Sequence, residues 1–307
     1  MKNITFNEEV RSEICSLDFD ENSSYYILLG LFINAVELKL CNQKQSYVIA
    51  TQYPQLIRLM NKLLKNINSK FNSNIYIDEK NNINNKKIIK LEIIDQDNQF
   101  EKIFNLTKFD INILDDENKQ KSFILGAYLA GGSISFSTKK SSYHFEIKSH
   151  KMNFLLDLKT LLKKFNIETK IISYKNKFIL YFKKGEYISD LLKLFNVVNS
   201  LYKFEDFRIK KDFSNSLQRL NNLEVSNINK TILASSKQQQ WIAKIEKTKY
   251  FNQLTKNEKI FCKIRLEHSE YSLSTISKIM KNEYNINISR SAINHYIKKI
   301  KNIYNKI

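Results

Sequence analysis

Phe123-Ile124-Leu125-Gly126-Ala127-Tyr128-Leu129-Ala130-Gly131-Gly132-Ser133 is the stretch on which the fold of this chain turns. It is apolar on every side, as a fully buried helix must be, yet shorter than the roughly 18 residues a membrane-spanning helix needs. Gly126 and Ala130 stand four apart and share one helical face, a surface small enough for another helix to come close. Downstream, Ile134–Ser137 and Tyr143–Ser149 alternate as strands, and Lys151–Phe165 returns to helical period with Leu155, Leu158, Leu161, Leu162 and Phe165 on one stripe. Lys170–Tyr174 and Lys177–Phe182 alternate again, joined through Lys175-Asn176, which suits a two-residue hairpin turn. The same order begins at Ser24: Ser46-Tyr47 answers Ser142-Tyr143 at an offset of 96, and Leu63-Leu64-Lys65 answers Leu161-Leu162-Lys163 at an offset of 98. Pro54 falls near the start of the matching helix, where a missing amide proton costs least, and Lys80–Lys87 reads as a hairpin loop. A duplication is therefore expected: two αββαββα halves, about 1–112 and 113–198, in one α+β domain.

Composition narrows the function. Lys and Arg total 50 against 31 Asp and Glu, a net charge of +19 with pI about 9.5, which favours a polyanionic partner because each neutralised phosphate releases counterions. Part of that excess reflects an A·T-rich genome, whose codons enrich Lys and Asn throughout. Cys15, Cys41 and Cys262 form no CxxC pair, and His144, His150, His268 and His295 show neither H-x-x-x-H nor H-E-x-x-H spacing, so neither a disulfide framework nor a metal site is expected. The five glycines make no G-x-G-x-x-G or Walker sequence, so no cofactor is expected. Met1–Val10 lacks the apolar core of a signal peptide, and the expectation is a cytoplasmic, nucleoid-associated protein with no membrane partner.

The remaining third is helical. Residues 199–248 read as a charged connector carrying Arg208, Lys210, Lys211 and Arg219. In 249–307, Thr255 and Glu258 form a capping box ahead of Ile260, Phe261 and Ile264. A second helix starts near Ser272, with Leu273, Ile276, Ile279 and Met280 inward, and after a turn across Asn282–Ile288, Ser289 caps a last helix whose buried stripe is Ile293, Tyr296, Ile297, Ile300, Ile303 and Tyr304. Off that stripe lie Arg290, Ser291, Asn294, His295, Lys298 and Lys301, and from Ser289 onward five basic residues, Lys299 among them, meet no acidic one. Such a helix fits a major groove, where Arg reads guanine, Asn reads adenine and Lys holds phosphates. The expected DNA-contact set is Ser272, Ser289, Arg290, Ser291, Asn294, His295, Lys298, Lys299 and Lys301.

The opening stretch resembles the LAGLIDADG motif of homing endonucleases, in which two such helices pack face to face and a carboxylate at the base of each binds a catalytic divalent metal. By that resemblance the acid positions fall on Asn34 and Gly131, 97 residues apart, and both acids are gone. What the resemblance leaves is a saddle of strands whose Lys139, Lys140, Lys148, Lys170, Lys175 and Lys177, with Arg208, Lys210 and Lys211 beyond, could meet a DNA backbone. Together with the strings SSYHFEIKS, KFEDFRIKKDFSNSLQRLNNLEVSNINKTILAS, IRLEHSEYSLSTISKIM and ISRSAINHYIKKI, the chain resembles the WhiA family over nearly its whole length. That family joins a degenerate LAGLIDADG domain to a helix-turn-helix similar to sigma-factor region four. The resemblance implies a sequence-specific transcriptional regulator of double-stranded DNA, tied to cell division and chromosome segregation or, in some bacteria, sporulation, with a possible protein partner in transcription and no nuclease activity. An active homing endonuclease and a non-specific nucleoid or RNA-binding protein stay open at this point.

Overall fold

A computed structural model describes residues 4–41, 44–67, 71–83, 86–95, 99–106, 109–137 and 142–307. Helix α1 (Phe6–Ser16) leads into α2 (Glu21–Ala35), strands β1 (Glu37–Cys41) and β2 (Lys44–Thr51), helix α3 (Pro54–Asn66), strands β3 (Asn72–Ile83) and β4 (Lys86–Asp95), and α4 (Gln99–Phe104). The order then repeats as α5 (Glu117–Gly131), β5 (Gly132–Ser137), β6 (Ser142–Ser149), α6 (Met152–Lys164), β7 (Lys170–Tyr174), β8 (Lys177–Phe182) and α7 (Gly185–Leu194). A single helix, α8 (Val198–Glu246), precedes α9 (Lys256–Glu267), α10 (Leu273–Tyr284) and α11 (Arg290–Tyr304). Two compact units result, Met1–Lys211 and Asp212–Ile307, and their boundary falls inside α8.

The first unit realises the duplication. Its sheets, antiparallel throughout, run β1-β2-β4-β3 and β5-β6-β8-β7, the same order twice. Inward positions alternate as the pleat requires: Tyr47 and Ile49 face Ile93 and Leu91, and Phe145 and Ile147 face Phe182 and Leu180, all buried. At the centre α2 and α5 share the most extensive interface between helices in the chain. Glycine is required there by close approach: a Cβ on Gly30 would lie 2.2 Å from the Phe123 carbonyl oxygen, and one on Gly126 would lie 2.0 Å from that of Ile27. The small surface expected from Gly126 and Ala130 is thus made by Gly126 and its repeat partner Gly30, one from each half. Leu155, Leu158, Leu161 and Leu162 are fully buried on α6, and each such side chain contributes about 1.5–3 kcal/mol relative to leaving it in water. The hairpin loop expected over Lys80–Lys87 is corrected: strand pairing continues through Asn82 with Lys87 and Ile83 with Lys86, and a bulge between Asp78 and Asn82 absorbs the irregular register. Lys175 takes a left-handed φ of 53° in the second hairpin's turn, in line with the two-residue reading.

The second unit packs α9, α10, α11 and the end of α8 around Ile242, Ile245, Phe261, Ile264, Ile276, Met280, Ile293 and Ile300. The Thr255–Glu258 capping box forms in full, and Ser272 and Ser289 each accept the amide of the third following residue. The turn is tighter than Asn282–Ile288: α10 runs to Tyr284, where Asn285 at φ 54° ends it and the Ile286 amide reaches back to the Met280 carbonyl at 2.9 Å. The Ser277 hydroxyl, donating to the Ile288 carbonyl at 2.6 Å, fixes the turn's exit.

Candidate nucleic-acid interface

Asn34 and Gly131, where the resemblance puts the missing acids, come together. At the C-terminal end of α2 the Asn34 Nδ2 donates to the Lys148 carbonyl at 3.0 Å, and a Cβ on Gly131 would lie 2.5 Å from that same oxygen and 2.9 Å from Asn34 Nδ2. The backbone of β6 therefore occupies the space a carboxylate at 131 would need, and Asn34 Oδ1 is buried with no donor. Cations already hold the helix ends. Buried Arg11 donates to the Leu129, Tyr128 and Gly132 carbonyls at 2.8, 3.0 and 2.6 Å, and its guanidinium stacks on the rings of Tyr53 and Tyr128. Lys151, its ammonium pushed below the ordinary lysine range by burial, donates to the Ile33 carbonyl at 2.8 Å. Each motif helix thus carries a positive group on its last turn, where its dipole is negative. One neutral amide oxygen, on helix ends whose carbonyls already accept from a guanidinium and an ammonium, does not fit a hard divalent cation, which takes several anionic oxygens. Sequence reasoning missed Arg11, although Thr5 and Glu8 spell the capping box that starts α1.

On the strands, the expected backbone-contacting lysines are divided. Lys148 is 2.7 Å from Glu146, whose other oxygen lies 3.2 Å from His144; burial alone would raise that carboxyl, but both hydrogen bonds hold it below its ordinary value. Lys170 and Lys177 are exposed, and Lys175 lies over the Tyr174 ring at 5.5 Å. Lys139 and Lys140 lie outside the described residues. On α8, Arg208 is bound to Glu205 at 3.0 Å and to the Ser189 hydroxyl at 2.9 Å, Lys211 sits 3.6 Å above the Tyr143 ring, and Lys210 is exposed.

On α11 the arrangement differs. Arg290, Ser291, Asn294, His295, Lys298 and Lys301 are all exposed, and at 100° per residue they fall within an arc of roughly 140°. Ile293, Ile300 and Ile303 are buried on the opposite side and fix the helix's rotation. Among the described residues no carboxylate lies within ion-pair distance of Arg290, Lys298 or Lys301. Lys301 instead lies 5.8 Å from the Trp241 ring centre, a partner that supplies no counter-charge. Three members of the expected contact set have other work. Lys299 turns to Glu258 at 2.8 and 3.0 Å because position 299 points toward α9, and Ser272 and Ser289 use their hydroxyls as helix caps.

The family model described as the WhiA LAGLIDADG-like domain matches residues 120–214, and that of the WhiA C-terminal HTH domain matches residues 217–304. A Staphylococcus haemolyticus protein named "Probable cell division protein WhiA" is 32% identical, over 99% of this chain and 98% of its own length. A Clostridium tetani protein of the same name is 29% identical, over 98% of this chain and 97% of its own. The crystal structure of full-length WhiA from Thermatoga maritima superposes with a TM-score of 0.59 at 22% identity, covering 99% of both chains, which shows a shared fold. By its two domain matches and its full-length relatives, the chain belongs to the WhiA family.

Proposed function

We propose that this chain is a sequence-specific DNA-binding regulator of transcription, serving cell division and chromosome segregation, that reads the major groove through α11 and does not cut DNA. One observation carries the reading: an outward face of Arg290, Asn294, His295, Lys298 and Lys301 on a helix locked by a buried apolar stripe, with no ion pair to Arg290, Lys298 or Lys301 among the described residues. Arg and Asn side chains offer bidentate pairing to guanine and adenine, each pair giving about 1–3 kcal/mol of discrimination. The names of the relatives support the cellular role, and the absence of a spanning helix among the described residues agrees with a partner in solution. The helix ends support the reading that it does not cut, since Asn34 and Gly131 supply too few oxygens and Arg11 and Lys151 hold the carbonyls.

The test uses the purified full chain. Duplexes selected from a random pool should converge on a motif, and Arg290→Ala with Asn294→Ala should abolish that preference while leaving weak salt-sensitive binding. Unchanged affinity and preference in the double variant would remove α11 from the interface. Site-specific cuts in a plasmid library with magnesium would overturn the non-nuclease reading.

A further inference from the structure

We infer that a phosphodiester of the DNA backbone seats in a cleft of the second unit between α8 and the N-terminal ends of α10 and α11, so that the connector helix is itself part of the DNA-contact surface. This rests on the reading of α11 as the groove-facing helix. The cleft, about 490 Å³, is lined by Lys230 and Thr231 of α8, Arg265 of α9, Ser272 and Ser274 at the start of α10, and Arg290, the first residue of α11. Three cations border it and no carboxylate does.

Three features point to an anion as occupant. The amides of Leu273 and Ser274 belong to the first turn of a 12-residue helix and have no partner within it, and the positive end of the helix dipole lies with them. Independently, Arg265 is a buried cation at 1% exposure without a counter-ion among the described residues: its Nη1 donates to neutral oxygens, Ser235 Oγ at 3.1 Å and the His268 and Tyr271 carbonyls at 3.3 and 2.8 Å, and its Nε meets no acceptor among them. Burial lowers its affinity for the proton, and only Glu270, from beyond ion-pair distance, opposes that. A buried guanidinium without an anion is costly, and an anion arriving in the cleft offsets the cost. The buried Gln238 carboxamide, whose Oε1 lacks a donor, borders the same space, and turning its amide presents an N–H group instead.

The occupant is DNA rather than a free phosphate because the cleft is continuous with the reading face. Arg290 belongs to both, and Lys230 and Ser274 are exposed beside it. A duplex lying along α11 therefore carries its backbone past the cleft, in the way helix-turn-helix proteins set register with phosphates while side chains read bases.

Lys230→Ala in the full chain tests this, since Lys230 is exposed and the variant should melt like the parent. Binding to the selected duplex and to random duplex should fall by the same factor, roughly three- to tenfold, and the slope of log affinity against log salt should drop by about one. Duplexes carrying one methylphosphonate should reveal a single position that weakens the parent and costs the variant nothing. An unchanged slope, or no such position, overturns the proposal. So does binding of inorganic phosphate that Lys230→Ala abolishes while duplex affinity stays the same, which would assign the cleft to a small ligand. If Arg290→Ala with Asn294→Ala leaves base preference intact while Lys230→Ala lowers the slope, α11 readout fails and the clamp stands; the reverse pattern sinks the clamp alone.

Discussion

The motif-helix ends of the first unit, with the paired lysines of its sheets, and helix α11 of the second contain similar kinds of cation and use them in opposite ways. In the first, Arg11 and Lys151 turn inward onto helix-end carbonyls, Lys148 meets Glu146 and Lys90 meets Asp78 at 2.6 Å. On α11, Arg290, Lys298 and Lys301 stand outward with no carboxylate within ion-pair distance among the described residues, and Lys299 is paired. Charge total alone hides this difference. An A·T-rich genome spreads lysine over every surface, whereas a partner's phosphates are marked by cations that the protein leaves without a counter-charge. The first unit thus reads as a scaffold held partly by its own basic residues, and the second as the surface that faces outward to a polyanion.

The largest expected effect comes from removing the inward cation. Arg11→Ala strips three hydrogen bonds from the end of α5, where the Tyr128 carbonyl keeps the Gly132 amide as a donor, at a cost of about 1–3 kcal/mol for each buried acceptor left unsatisfied. Chemical denaturation should show the loss in the first unit, and duplex affinity measured under native conditions should hold. A parallel loss of affinity would mean that Arg11 serves DNA as well as the fold.

Next come charge reversals on the two outward surfaces. Lys298→Glu with Lys301→Glu should lower duplex affinity on the order of 100-fold at 0.1 M salt without altering the melting temperature. Lys170→Glu with Lys177→Glu on the second sheet should lower it by less than roughly threefold, because the same face of that sheet also carries Glu146. Fluorescence anisotropy decides, and equal losses from the two pairs would dissolve the contrast between the units.

Much of this was legible in advance, and the reasons are local. The duplication could be read because both halves repeat period-2 and period-3.6 patterns at a nearly constant offset, and the C-terminal caps because Thr255, Ser272 and Ser289 each precede an apolar stripe. Interactions across large sequence distance left no such trace. Arg11 meets Leu129 across 118 residues and Asn34 meets Lys148 across 114, so nothing in the flanking sequence marks either partner. Gly30 was passed over for a similar reason: its need shows only once α2 and α5 cross. On α11, Lys299 looked equivalent to Lys298 until the rotation of the helix placed one against α9 and the other in solvent. Arg265 sits in a sequence of ordinary helical character, and its burial depends on α8 packing over it through Ser235.

A smaller effect tests the first unit's history. Placing acids at both positions the resemblance assigns, as Asn34→Asp with Gly131→Asp, should not create a nuclease, because the new side chain at 131 must displace the Lys148 carbonyl, and overpacking of that kind costs about 1–3 kcal/mol. Incubation with magnesium and supercoiled plasmid should leave the DNA intact while the melting temperature falls. Nicking by this variant would show that the strand backbone yields and that only the carboxylates were missing.

The smallest effect concerns the pair that withdraws Lys299 from the outward set. Burial alone would raise the Glu258 carboxyl, but hydrogen bonds from Lys299 and the Thr255 amide outweigh it and hold the group below its ordinary value of 4.5. A carboxyl depressed in the folded state lends stability that is complete above the unfolded value and drains away as pH falls through the lower folded one. The second unit should therefore lose stability on acidification from about pH 5 downward, and Glu258→Gln should be less stable by about 1 kcal/mol at neutral pH with a flatter acid limb. The same variant frees the Lys299 ammonium. If duplex affinity then rises, Lys299 has joined the DNA surface; if it does not, the helix's rotation keeps position 299 away from the duplex whatever its partner, and the unpaired face ends at Lys298 and Lys301.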